Sequence, residues 1–366
     1  MKPCRILFGC TLVSLCLLSG SAFAQVVTEF SAGITAGALV DGIASGPDGN
    51  LWFAEANGNR IGRITPLGVV TEFSVGITAG AQPVDITAGP DGNLWYTNNN
   101  LDRIGRITPL GVVTEFTAGI SVNAQTNRIT LGPDGNLWFT ELTGNRIGRI
   151  TTAGVVTEFS AGITVGAGLE GITDGPDGNV WFTERTIDRI GRITPLGVVT
   201  EFSAGITAGA FPVSIVTGPD GNLWFTELSD RIGRITPLGV VTEFTAGITA
   251  GAGPDHIALG PDGNLWFTEF NGNRIGRITT AGVVTEFSAG ISASAGVFDI
   301  TAGPDGNLWF TELTGNRIGR ITTGGAPPPP PSTNVPVPTL QQWAMWWLAV
   351  LLIVTAGVQL RRRKGA

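Results

Sequence analysis

Between Val26 and Thr322 the chain alternates short apolar runs with short polar turns on a fixed beat. The runs read LWFTE, RIGRIT and VVTEF, with a fourth ending on the isoleucine just before each GPDGN, such as Ile43 or Ile257. They are rich in β-branched and aromatic residues and are bounded by Gly, Pro, Asn and Asp, which predicts strands joined by tight turns. No part of this region has helical periodicity. Copies of GPDGN begin at Gly46, Gly89, Gly132, Gly175, Gly218, Gly260 and Gly303, a period of 43 residues with one step of 42. Four antiparallel strands per period predict a propeller blade, so the expected fold is an all-β, seven-bladed β-propeller. VVTEF opens the array at Val26, whereas RIGRIT closes it at Arg317. A ring satisfies both ends: Val26–Phe30 is expected to complete the blade that starts at Gly303, leaving no open sheet edge.

The flanks follow other rules. Residues 1–24 carry Lys2 and Arg5, an apolar run from Ile6 to Leu18, and Ala22-Phe23-Ala24. That is the pattern of a secretory signal peptide, with the mature chain starting at Gln25. Cys4, Cys10 and Cys16 are the three cysteines of the chain, so the exported part, 25–323, is expected to hold no disulfide and no thiolate metal site. Residues 324–338 form a Pro-rich linker with five consecutive prolines from Pro327 to Pro331. At about 3.1 Å per residue it reaches roughly 45 Å. The apolar stretch 343–360 predicts a transmembrane helix. Arg361, Arg362, Arg363 and Lys364 follow it, and that basic end is expected on the cytoplasmic side.

The formal charge of the chain is -7. Six of its 22 basic residues lie in the flanks, which leaves 16 arginines against all 29 acidic residues in the repeats, a net of -13. Such a balance disfavours nucleic acid and anionic lipid as partners. Cationic ligands, metal ions, glycans and peptides stay open.

Positions that recur in every copy read first as scaffold. Trp52, Trp95, Trp138, Trp181, Trp224, Trp266 and Trp309 form one column, expected as core between blades rather than as carbohydrate-stacking platforms. The two arginines of RIGRIT are expected to pair with the acids of LWFTE and VVTEF. The aspartate of GPDGN suits turn chemistry better than calcium, because no second acid at ligand spacing accompanies it in every copy.

The copies differ in two places: the stretch before the innermost strand, and the turn after LWFTE. Antiparallel order puts both on one face and the uniform turns on the other. The variable face is therefore the expected binding face, because sites are carried by loops on a fold. It offers Asp41, Asp85, Glu170, Asp255 and Asp299, with Arg128, Ser214 and His256 among them. Such a mouth can hold a divalent cation or a basic group, and it is also what solvated loop acids look like.

The repeated GPDGNLWFTE, NRIGRIT and G-VVTEF, covering Val26 to Thr322, resemble the blades of the virginiamycin B lyase (streptogramin lyase) family. The resemblance implies a carbon–oxygen lyase that opens a cyclic depsipeptide by elimination, using ring-centre histidines and glutamates with magnesium. His256, the single histidine, and Glu269 in the same blade match part of that site. The preceding blade has Val213 and Ser214 where a second histidine is expected, and glutamates equivalent to Glu269 recur at Glu55, Glu141, Glu184, Glu227 and Glu312. Two functions follow: a non-catalytic, surface-displayed binding propeller, or a streptogramin-lyase-like enzyme. Residues 335–366 resemble an IPTL-type C-terminal sorting signal, carried by Val337-Pro338-Thr339-Leu340, the apolar stretch and the basic end. That implies a Gram-negative host and a dedicated sorting protease as partner. It also implies membrane anchoring in transit, then the periplasm or the cell surface.

Overall fold

The computed structural model describes residues 25–323. They form seven four-stranded antiparallel sheets in which the strands follow one another in sequence order. In the first blade the innermost strand is Val40–Ser45, followed by Leu51–Glu55, Arg60–Ile64 and the outer strand Val70–Phe73. The other blades repeat this plan. The last takes its outer strand from the start of the described chain: Val27–Phe30 pairs with Arg317–Ile321, Val27 opposite Ile321. Val26 N donates to Thr322 Oγ1 at 2.9 Å and fastens this closure. The signal peptide, the Pro-rich linker, the sorting signal and the predicted transmembrane helix 343–360 lie outside the described residues. Among the described residues, no helix is long and apolar enough to cross a membrane.

Each indole of the tryptophan column is fully buried. Trp52 stacks on Phe73 of its own outer strand at 5.4 Å and packs against Ile86, Leu94 and Tyr96 of the next blade. Its Nε1–H donates to Asp48 Oδ1 at 3.0 Å, while Asp48 also accepts from Asn50 N and Nδ2. The GPDGN aspartate thus closes its turn and satisfies a buried indole. Gly62 of RIGRIT lies so close beneath the Phe53 ring that a Cβ would come within 2.1 Å of it.

The two arginines of RIGRIT divide their work. Arg63 stands over Trp52 and Phe73 at 5.5 and 5.6 Å, donates to Pro109 O in the next blade and lies 3.8 Å from Asp48. Arg60 meets the acids of LWFTE and VVTEF, at 3.8 Å from Glu55 and 3.7 Å from Glu72. Sequence reasoning foresaw only the second arrangement.

Glu55 is fully buried. Burial, followed by the neighbouring Glu72, pushes its carboxyl up to about 8. Burial also acts on Glu72, but bonds from Thr35 outweigh it and hold that group below its ordinary value. The two carboxyls of the pair are thus pushed in opposite directions. Glu141, Glu184, Glu227, Glu269 and Glu312 are pushed up to about 8 in the same way. The second blade has Asn98 instead, and its Nδ2–H donates to Glu115 Oε1 at 3.1 Å. The asparagine carries a donor at this position at any pH, where the other blades have a titratable carboxyl.

A group whose folded value is raised binds its proton more tightly when folded. Its stabilisation is therefore complete below the unfolded value near 4.3 and is lost as pH climbs to about 8, at roughly 1.4 kcal/mol per pH unit for an isolated group. The thermal midpoint is expected to fall steadily between pH 5 and pH 9. Glutamine at Glu55, Glu141, Glu184, Glu227, Glu269 and Glu312 is expected to flatten that slope in calorimetry at a series of pH values.

Candidate functional site

The seven innermost strands face the central channel, and each breaks register with its neighbour just before its central isoleucine, as between Val40 and Ile43. Such a bulge re-aims the side chains around it. The third residues of these strands are Gly42, Asp85, Arg128, Gly171, Ser214, His256 and Asp299. One residue earlier come Asp41, Val84, Asn127, Glu170, Val213, Asp255 and Phe298. A cavity of about 240 Å³ is lined by Asp85, Arg128, Ser214, His256 and Asp299 together with the isoleucines beneath them.

A threonine in the second strand holds this wall. Thr140 Oγ1 accepts from Arg128 N at 3.0 Å and donates to Glu170 O of the next blade at 2.9 Å. Thr97, Thr183, Thr226 and Thr268 bridge in the same way. The first blade has Ala54 at this position. Three third residues add a second kind of link: Asp85 Oδ2 accepts from Ile129 N and Asp299 Oδ2 from Ile43 N, both at 2.8 Å, and Ser214 Oγ from Ile257 N at 3.4 Å.

Arg128 organises the charges. Its side chain is 10% exposed, and Nη1 lies 3.4 Å from Asp41 Oδ1, two blades away. Its guanidinium stands 5.5 Å over the Phe298 ring. Burial, together with the like charges of Asp299 and Asp85, pushes Asp41 up to about 7 although Arg128 opposes it. Burial and Asp299 push Asp85 up to about 6 against Arg128 and two backbone N–H donors. Burial disfavours the charged guanidinium, but the surrounding carboxylates prevail and raise its pKa.

His256 sits beside this group. Its Nδ1 lies 3.0 Å from Asp255 Oδ1, and its ring is 4.6 Å from Phe298. Burial and Arg128 both favour the neutral imidazole, yet Asp299 and Asp255 outweigh them and raise its pKa. Phe270, the first residue of the turn after the second strand, meets Phe298 edge-on at 6.2 Å. That turn returns to the stretch before the innermost strand, for Phe270 N donates to Gly253 O. Both variable segments therefore share one face.

The structure gathers Asp41, Asp85, Arg128, Ser214, Asp255, His256 and Asp299 around the channel. Glu170 instead pairs with Arg185 at 3.2 Å. Glu269 stands opposite Pro254 and 3.8 Å from Arg274, as one of the buried acid pairs. The residue whose side chain engages the His256 backbone is Thr268. Sequence reasoning missed Phe298 and the threonine column. Phe298 was detectable as the only aromatic residue in its column of the repeat.

Magnesium does not fit these residues. The carboxylates converge on a guanidinium or on backbone N–H groups, Nδ1 of His256 is beside Asp255, and no cluster of three metal-ligating side chains occurs among the described residues.

The model of the virginiamycin B lyase family matches residues 21–203 and 119–329. Virginiamycin B lyase from Staphylococcus aureus is 36% identical, with a TM-score of 0.76 over 82% of this chain and 99% of that one. A streptogramin B lyase is 34% identical, with a TM-score of 0.77 over 83% and 99%. A catalytically inactive histidine-to-alanine variant of the S. aureus enzyme, solved with quinupristin, is 36% identical with a TM-score of 0.74 over 82% and 99%. No curated protein matches the chain.

Arg128→Met is expected to destabilise the propeller by about 3–5 kcal/mol at pH 7.5, as breaking a buried ion pair does. The loss should shrink at pH 5, where Asp41 and Asp85 take up protons. Thermal denaturation of both proteins at the two pH values checks it.

Proposed function

Because this chain belongs to the virginiamycin B lyase family, we propose that it is an exported, surface-displayed binding propeller that takes a peptide or glycan ligand at the channel mouth. One observation carries the reading. The ring where the copies diverge pairs its own charges, with Arg128 among Asp41, Asp85 and Asp299. A cation, whether a metal or a basic group, would have to displace that guanidinium. What the site offers an incoming molecule is hydrogen bonding from Ser214 and His256, with the apolar edge of Phe298 beside them. Neutral polar groups flanked by an aromatic ring suit amide or hydroxyl-rich ligands. The leader and the sorting-type tail support display outside the cell.

A second reading is favoured by the His256–Asp255 pair and by the relatives named above, one of which is inactivated by loss of a histidine. A carboxylate 3.0 Å from Nδ1 favours the proton on that nitrogen, which leaves Nε2 to remove a proton next to a carbonyl. His256 would then start the elimination, and Ser214 would stand where the family's second histidine is expected.

Quinupristin separates the two. The binding reading expects no ring opening by the wild-type protein, followed by mass spectrometry. It also expects Phe298→Ala and Ser214→Ala to weaken capture of peptides or glycans at least tenfold, with substitutions in the opposite-face turns having no effect. Linearisation that disappears in His256→Ala would establish the second reading instead.

A further inference from the structure

We infer that the face opposite the channel site rests on a lipid bilayer of zwitterionic headgroups. The turn between the third and outer strands carries a leucine at its tip in four blades: Leu67, Leu110, Leu196 and Leu238. All four are 89–90% exposed. One exposed leucine on a soluble domain needs no explanation. Four at the same position of the same turn, on one face of a ring, lie in one plane by the symmetry of the repeat and form a set that a flat surface can touch at once.

The fold does not require them. The third and sixth blades have Ala153 and Ala281 at that position, and their flanking strands keep the same lengths. The valines two residues further on add to the apolar character, with Val69, Val112, Val198 and Val240 at 61–62% exposure.

Two observations select a bilayer as the occupant. The first is where the described chain ends. Arg320 Nη1 donates to Pro66 O at 3.0 Å, tying the end of the last third strand to a leucine-tipped turn. The chain therefore leaves the propeller on the leucine face, and its sequence continues into the apolar stretch 343–360 and four basic residues. The second is charge. Six of the seven GPDGN aspartates on this face stand within 4 Å of an arginine, as in Arg149–Asp134 at 3.5 Å and Arg192–Asp177 at 3.3 Å. That pairing removes most of the charge that would attract an oppositely charged protein. The strongly acidic balance of the repeats selects zwitterionic over anionic headgroups.

The chain from Gln25 onward has no cysteine, so single-cysteine labelling is clean. The chain from Gln25 to its end carrying Leu67→Cys, Leu196→Cys or, on the opposite face, Phe211→Cys is labelled with an environment-sensitive nitrobenzoxadiazole and reconstituted into phosphatidylethanolamine–phosphatidylcholine vesicles. Emission at 67 and 196 is expected to rise at least twofold and to be quenched by spin-labelled lipid, with no change at 211 and no sensitivity to 1 M salt. Labels at 67 and 196 that stay in water overturn the inference. Labels that become shielded without lipid quenching overturn it too, because a second copy would then be covering the face.

Discussion

The propeller depends on one indole per blade being seated between two sheets with its N–H satisfied. In water-free surroundings an unpaired indole N–H is costly, and the aspartate four residues earlier removes that cost while it closes its own turn. The arginine above the ring then ties the turn, the aromatic pair and the neighbouring blade into one unit. Replacing one such indole by alanine typically costs about 3–5 kcal/mol. Identical residues at these positions are what allow one repeat unit to be its own neighbour seven times, and the closure of the first strand onto the last third strand completes the circle.

With that frame fixed, variation is greatest in the channel and on the face above it. The channel wall is polar but already balanced. Arg128 is held by Asp41, Asp85 and Asp299, and the last two also accept from backbone N–H groups of the next blade. A seven-fold scaffold thus holds a site without seven-fold symmetry, because five residue types share the seven third positions. The family likeness and the fold come from the scaffold, whereas any ligand is met by these few side chains.

The fold was readable in the sequence because each strand is short, β-branched and bracketed by Gly, Pro, Asn or Asp, and because the beat repeats seven times. The site was readable only in part. Comparing copies located the face on which both variable segments lie, but it merged two adjacent columns that the bulge separates, so Glu170 and Asp85 looked equivalent. Glu269 looked like a neighbour of His256 because both belong to one hairpin, yet the register sets it opposite Pro254. The buried acid pairs were hidden because Glu55, Arg60 and Glu72 read as ordinary alternating charges until their burial is known. Asn98 was the single visible clue. It is a change of chemistry at an otherwise constant position that leaves the hydrogen bond in place.

The alanine at position 54 has a mechanical side. Threonine hydroxyls cross the innermost seams elsewhere, and Asp299 crosses the seam between the last blade and the first. Between the first and second blades neither device is present, because Ala54 has no hydroxyl and Gly42 has no side chain. The strands there are pressed together instead, so closely that a Cβ on Gly42 would come within 2.7 Å of Val84 O. Along the innermost wall that seam depends on backbone shape alone, so a single methyl group at position 42 would prise the first two blades apart.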